Sequence, residues 1–311
     1  MHVPDHFLDD PTSATTAVVS LAAVGYAAYR AREDLTPGRI ALTAATTGFV
    51  FAVQMLNYPV AAGTSGHLMG GALAAALVGP WLGVLSVTLV LLVQALVFAD
   101  GGLTALGTNV LLMAVVGTLV GWAVTRGVLR LTRGRWSPAA AGAGALASVP
   151  VSALVFAGLF AVGGTVPVPV GALVGQMLSV HVLIGLGEAL ITAGVVGLVL
   201  GVAPRVAASE PAARRAVTRP VVALGSAALL AAVVVSSLAA STPDGLEATA
   251  ESVGFADAAR DHAFAGMPLA DYGEVGGIFV GAAGLLGVVL VVALASAVLA
   301  AVRRTRAVPT T

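Results

Sequence analysis

Residues 178–203, LSVHVLIGLGEALITAGVVGLVLGVA, decide the class of fold. A helix needs about 20 apolar residues to cross the hydrocarbon of a bilayer. This stretch supplies them with a single acid, Glu188, and a single histidine, His181. Working outward, apolar runs at roughly 13–30, 40–57, 67–79, 81–98, 103–125 and 138–162 precede it, and runs at 220–240 and 275–302 follow. Over 311 residues, 58% are hydrophobic, 10% are charged and the mean hydropathy is +1.00. A soluble surface could not be covered with so little charge. The expected fold is therefore all-α and integral to a membrane. It comprises a seven-span bundle in residues 1–204 and two C-terminal spans flanking an outward-facing acidic segment. The third span is short and ends at Gly79-Pro80, which cannot continue a helix. Val166 to Val180, with Pro167 and Pro169, reads as a re-entrant or interfacial segment leading into the seventh span.

All fifteen basic residues are arginines. Arg30, Arg32 and Arg39 form one group; Arg126, Arg130, Arg133 and Arg135 a second; Arg205, Arg214, Arg215 and Arg219 a third; Arg303, Arg304 and Arg306 a fourth. Short arginine-rich loops stay cytoplasmic, so one orientation accounts for all but Arg260. It puts the N-terminus and loop 241–274 outside the cell membrane and the C-terminus inside. Residues 205–219 become a cytoplasmic linker, and 220–311 an accessory unit. The acidic stretch beginning at Pro243 holds enough apolar residues, among them Leu246, Phe255 and Phe264, to fold into short helices, with Asp244 placed to cap the first. The net charge of zero gives no reason to expect nucleic acid as a partner. The absence of cysteine rules out disulfides and thiolate metal sites. The start, MHVPDHFLDDPTS, carries no basic residue before the first apolar run, so no secretory signal peptide is expected.

Five histidines could do chemistry: His2, His6, His67, His181 and His262. With a free amine, Met1-His2 offers three nitrogens in one chelate: the amine, the amide of His2 and its imidazole. Losing the amide proton requires a metal that rewards square-planar nitrogen, which points to Ni(II) or Cu(II), with Co(II) also open. His67 follows an outward loop rich in turn residues and is the natural fourth donor. His181 and Glu188 lie seven residues apart on one helical face. An acid inside a span must face protein or water, so Glu188 is read as a polar tie, a coupling element or a second metal ligand. Asp100 and the acidic loop could concentrate cations by their field. His262 is expected to be exposed rather than a ligand.

MHVPDHF at 1–7, QMLNYPVAAGTSGHLMGG at 54–71, FADGGLTALGTNV at 98–110 and VHVLIGLGEALIT at 180–192 resemble, in order, the motif blocks of one family. It is the substrate-specific membrane component of cobalt and nickel energy-coupling-factor transporters, the CbiM/NikM family. The resemblance runs through most of residues 1–204. The C-terminal unit, with PDGLE at 243–247, resembles the small accessory component of nickel-type systems, NikN, here fused to the first. The resemblance implies that Met1 and His2 tuck into the bundle from outside. His67 would then close a four-nitrogen plane around Ni(II) or Co(II) as transported substrate. Asn57, Thr64, Ser65 and Asn109 become candidates for orienting the ligands or the N-terminal segment. The chain carries no phosphate-cradling Walker sequence, so ATP hydrolysis is expected of two separate ATP-binding cassette subunits joined by a membrane scaffold, the T component. One departure is His6, where the family usually has glycine after Pro-Asp. The first unit looks alike in the nickel and cobalt branches, the latter serving cobalamin biosynthesis. The runner-up reading is a self-contained ion-coupled carrier or channel relaying protons through Glu188 and His181. A lone intramembrane carboxylate and no evident inverted repeat count against it. An intramembrane metalloenzyme built on the same pair would lack a third ligand. No H-E-x-x-H helix suggests catalysis.

Overall fold

The structure is a computed structural model, and it describes residues 1–61, 63–135, 137–203 and 214–305. The chain runs through α1 (Asp10–Ala31), α2 (Pro37–Gln54), a hairpin of β1 (Tyr58–Ala61) and β2 (Thr64–Gly66), α3 (Gly71–Val78) and α4 (Pro80–Val97). There follow α5 (Leu106–Asn109), π-helical turns at Val110–Val116, α6 (Gly117–Leu131), α7 (Ser137–Gly163) and α8 (Val170–Val202). The accessory unit adds α9 (Arg214–Val233), α10 (Gly245–Val253) and α11 (Val280–Arg304). Among the described residues, five helices are long and apolar enough to cross a membrane: α4, the continuous rod Leu106–Leu131, α7, α8 and α11. Large side chains left bare on their outer faces, such as Leu190 on α8 and Val289 on α11, suit contact with lipid rather than water. The chain is a multi-pass membrane protein.

Local chemistry explains the element boundaries. Asp9 caps α1 by accepting from Thr12 N at 2.9 Å, and Thr36 caps α2 by accepting from Arg39 N at 3.2 Å. Each helix has proline in its first turn, where the missing N–H costs nothing. Gly79, at φ 87°, makes the left-handed turn that lets Pro80 start α4 directly after α3. The π-helical turns free backbone groups, and Ser152 Oγ donates to Leu112 O at 2.9 Å there.

Three expectations are corrected. The run at 67–79 is not a full span: α3 has 8 residues and is about 12 Å long, with His67–Gly70 entering it as irregular backbone. Val166–Val180 is not a separate re-entrant segment. Pro169 is the N-cap of α8, so both prolines precede the 33-residue helix and interrupt nothing. The described chain is also not wholly α, because the outward loop folds into the β1–β2 hairpin, with Tyr58 opposite Gly66. The expected linker 205–219 lies mostly outside the described residues. The guanidinium of Arg39 donates to Val78 O at 2.8 Å, and Arg30 sits 5.6 Å from the Trp81 ring. Those arginines share one end of the bundle with the α3–α4 turn. The candidate site lies at the other end, beyond Gln54 and Gln94.

Candidate metal centre

The first nine residues are stitched across that end. Val3, Phe7 and Leu8 are buried, each at 3% exposure or less, and such side chains contribute about 1.5–3 kcal/mol apiece. Phe7 packs on Phe160 and Phe255 with ring centres 6.4 and 5.1 Å away. Asn109 clamps the backbone of Val3, accepting from its N–H at 2.7 Å and donating to its carbonyl at 3.1 Å. Gly102 N donates to Val3 O at 2.9 Å. Asp5 Oδ1 accepts from Thr104 N at 2.7 Å and from its hydroxyl at 2.6 Å. Asp9 N donates to Gly163 O at 2.8 Å. These ties carry Met1 inward until it is 4% exposed.

There the Met1 amine stands 2.5 Å from His67 Nε2, and the rings of His2 and His67 stack with centroids 4.9 Å apart. His67 Nδ1 lies 3.1 Å from Leu68 O. A carbonyl can only accept, so Nδ1 carries the proton and Nε2 turns a lone pair toward the amine. The segment behind His67 is fixed from within the bundle. Glu188 on α8 accepts from Met69 N at 2.8 Å and Gly70 N at 3.1 Å, and Gln54 Nε2 donates to Met69 O at 2.8 Å. Glu188 thus caps α3, whose N-cap glycine has no side chain to do so.

On the other side of His2, Nδ1 lies 3.3 Å from Asp100 Oδ1 and Nε2 3.3 Å from Gln94 Oε1. Tyr272, from the accessory unit, joins these partners, accepting from Gln94 Nε2 at 2.9 Å and donating to Asp100 Oδ2 at 2.8 Å. Asp271 and Tyr272 adopt left-handed backbone, φ 47° and 57°, a strained pair held by Asp271 N donating to Phe98 O and by Tyr272 stacking on Phe98. Burial lowers the His2 pKa to about 4, with Asp100 pulling the other way, so the ring is neutral near pH 7 and one of its nitrogens keeps a lone pair. Burial works against a charged Asp244, yet the amine and His67 outweigh it and hold its carboxyl well below the usual range.

The remaining sequence candidates sit as follows. Ser65 is fully buried and faces the accessory unit, its hydroxyl donating to Thr242 O at 2.6 Å and its N–H to Pro243 O at 2.8 Å. Asn57 lines the cavity over the site and accepts from Ala240 N at 2.7 Å. Thr64 faces a different cavity, with Val60, Gln176 and Glu251. His181 is buried beside Gly245, its Nδ1 donating to Met177 O at 2.8 Å, and Nε2 has no partner. His6 stays out of the cavity. Its φ of 76° is the conformation that favours glycine, which explains the residue usual in the resembled family. His262 is half-buried rather than exposed, and accepts from Phe264 N at 3.0 Å on the cavity wall. That cavity, about 960 Å³, is lined by Asp5, Asp100, Asp244, Glu247, Asp271 and Glu274 among others, so the approach to His2 and His67 is acidic. Sequence reasoning missed Gln94 and Tyr272 and saw Asp244 only as a cap. Among the described residues no three His, Asp or Glu side chains form a metal-holding group by themselves.

Solved structures share this architecture. A crystal structure of a truncated transition metal transporter superposes with a TM-score of 0.60 at 28% identity, covering 65% of this chain and 99% of that one. A second transition metal transporter gives the same score and identity over 66% of this chain and 94% of the other. The shared fold is that of a membrane transport component. Residues 2–206 match the family model described as the cobalt uptake substrate-specific transmembrane region, CbiM, and the chain belongs to that family. Residues 218–304 match the PDGLE domain. Among its relatives, a protein of Archaeoglobus fulgidus assigned as a fused nickel transport protein, NikMN, is 42% identical over 66% of this chain and 68% of its own length. The fused nickel transport protein NikMN of Rhodobacter capsulatus is 35% identical over 63% of this chain and 60% of its own.

Proposed function

We propose that the chain captures Ni(II) or Co(II) as the substrate-binding component of an energy-coupling-factor importer. The ion is gripped by the Met1 amine, the His2 amide and imidazole, and His67. The observation that carries this reading is the amine of Met1 buried 2.5 Å from His67 Nε2. Neighbouring donors about 2.0 Å from a shared ion at a right angle sit about 2.8 Å apart. The two nitrogens therefore need little movement to become adjacent ligands, and the His2 ring already lies against His67. Asn57, Ser65 and Asn109 act by holding the loop and the N-terminal segment. His181 and Glu188 act through the bundle, Glu188 by fixing the backbone after His67. Thr64 stays at the hairpin's outer edge.

The domain scheme goes with this function. Residues 1–204 form the capture bundle of seven crossings, the third completed by the irregular backbone from His67 together with the short α3, 205–219 a cytoplasmic linker, and 220–311 a two-crossing accessory unit whose loop 241–274 covers the site from outside. The C-terminus faces the cytoplasm, where a membrane scaffold and two ATP-binding cassette subunits supply the energy. Relatives named for nickel transport and an all-nitrogen plane both lean toward Ni(II). A self-contained carrier relaying protons through Glu188 gains no support, because both carboxylate oxygens already accept backbone N–H groups. The test is equilibrium binding of each metal to purified chain starting at Met1. About one tightly bound ion per chain is expected, with tight binding lost in His67→Ala. Undiminished binding in that variant would overturn the site.

A further inference from the structure

The PDGLE sequence opens α10, and its second residue faces the candidate site. Asp244 Oδ1 accepts from Leu246 N at 2.7 Å and Glu247 N at 2.9 Å, while Glu247 returns a bond from Asp244 N at 2.8 Å. This capping box commits one carboxylate oxygen to the helix and fixes the direction of the other. Oδ2 lies 2.6 Å from the Met1 amine and 3.6 Å from His67 Nε2. The residue is 7% exposed.

The helix that presents this carboxylate is itself docked without slack. A Cβ on Gly245 would meet Ile184, Val180 and His181 of α8 at 2.6, 3.0 and 3.1 Å. Just upstream, Thr242 and Pro243 take the bonds from Ser65 on the β1–β2 hairpin. Asp100, the acid beside the His2 ring, comes from the first unit. The accessory unit therefore delivers a carboxylate, from a rigid mount, to a site otherwise built of nitrogens.

The charge count says what that anion is for. A divalent ion held by an amine, a deprotonated amide and two neutral imidazoles leaves a net charge of plus one in a buried place, which is costly unless paired. One carboxylate brings the sum to zero. Of the other acids nearby, Glu247 is occupied as the capping partner of Asp244 N, while the Asp100 side chain is 24% exposed against 11% for Asp244 and one of its oxygens is engaged by Tyr272. We propose that Asp244 is the counter-charge of the captured ion: the accessory unit lends the nitrogen site a fixed carboxylate that seats the amine before loading and neutralises the ion afterward. This rests on the four-nitrogen reading above.

The test compares full-length wild-type chain starting at Met1 with Asp244→Asn, Gly245→Leu and His67→Ala, by Ni(II) affinity and by the visible absorption of the bound ion. Asparagine can still cap α10, so Asp244→Asn removes charge while sparing the helix. It should weaken Ni(II) about 10–100-fold while the absorption stays that of a nitrogen plane. Gly245→Leu keeps Asp244 but wedges α10 off α8, and should lose affinity over the same range, which preserves the test if Asp244→Asn fails to fold. In metal-free protein, an aminopeptidase of broad specificity should trim Met1 faster from Asp244→Asn than from wild type, since the amine has lost its anchor. Unchanged Ni(II) affinity in folded Asp244→Asn, or in Gly245→Leu, overturns the proposal. Should His67→Ala bind as tightly as wild type, the nitrogen site itself fails, whatever Asp244→Asn does.

Discussion

Gly102→Ala should damage metal capture without touching a ligand. Gly102 forms the floor on which Val3 to Asp5 lie, its N–H bonded to Val3 O at 2.9 Å. A Cβ built there meets the amide nitrogen of Asp5, and it approaches Asp5 Oδ1 at 2.6 Å and the carbonyl carbon of Pro4 at 2.7 Å. Two of these three atoms are backbone, so no side chain can rotate out of the way. Ordinary contact begins near 3.4 Å, and relief requires the N-terminal segment or the 101–105 loop to shift by about 1 Å. The segment carries the amine and His2, and the loop adjoins Asp100 and so the His2 ring. Sites need donors held to about 0.5 Å, and losing a supporting contact typically costs 10–100-fold in metal affinity. Gly158→Ala on α7, where a Cβ meets nothing within 4 Å, is the control. Ni(II) titration of both variants, with helix content followed by circular dichroism, gives the result. Wild-type affinity in folded Gly102→Ala would refute the claim that this floor sets the ligand geometry.

Glu188→Gln keeps one acceptor for the backbone after His67 and turns an amide donor toward the other N–H. Loss of these charge-assisted bonds should destabilise by about 1.5–3 kcal/mol, seen as a lowered melting temperature in detergent, and weaken metal binding as the 67–70 segment loosens. His6→Gly should raise the melting temperature, because a left-handed non-glycine residue costs about 1–2 kcal/mol, and should leave Ni(II) affinity unchanged. Burial keeps the His2 ring neutral at pH 7, so loading should draw no proton from that ring while the His2 amide gives one up, measurable by calorimetry in buffers of different ionisation enthalpy. The sign for the metal-free protein follows from the same depressed value. The unfolded chain binds the His2 proton between about pH 6.5 and 4 and the folded chain does not, so His2 lowers stability progressively as pH falls through that range.

Much of the architecture could be read from the run lengths. The stretches that became α4 and α7 are uninterrupted by charge, α8 carries Glu188 alone and α11 is charged only at its last two residues, and a helix in lipid has to satisfy its own backbone. The misreadings came where one residue decides the path. Gly79 turns the chain after an 8-residue helix, and two prolines placed before Val170 looked the same in sequence as prolines placed inside a helix. In the site, Met1, His2 and His67 were legible because nitrogen donors are few in a chain with five histidines and no cysteine. Asp244, Gln94 and Tyr272 were not. Their meaning comes from long-range contacts between the two units, and a PDGLE turn carries the signal of a helix cap whether or not its second oxygen meets an amine. The positive φ at His6 likewise exists only in the folded chain.

The central claim is that the amine of Met1 is itself a ligand, and a removable extension tests it most directly. The chain is prepared with a tag ahead of Met1 whose protease leaves Met1 as the first residue. Ni(II) binding is measured before and after cleavage on the same preparation, with mass spectrometry confirming the new start. Weak or no binding before cleavage, and about one tightly held ion per chain after it, is the predicted result. Equal, tight binding in both states would contradict the account.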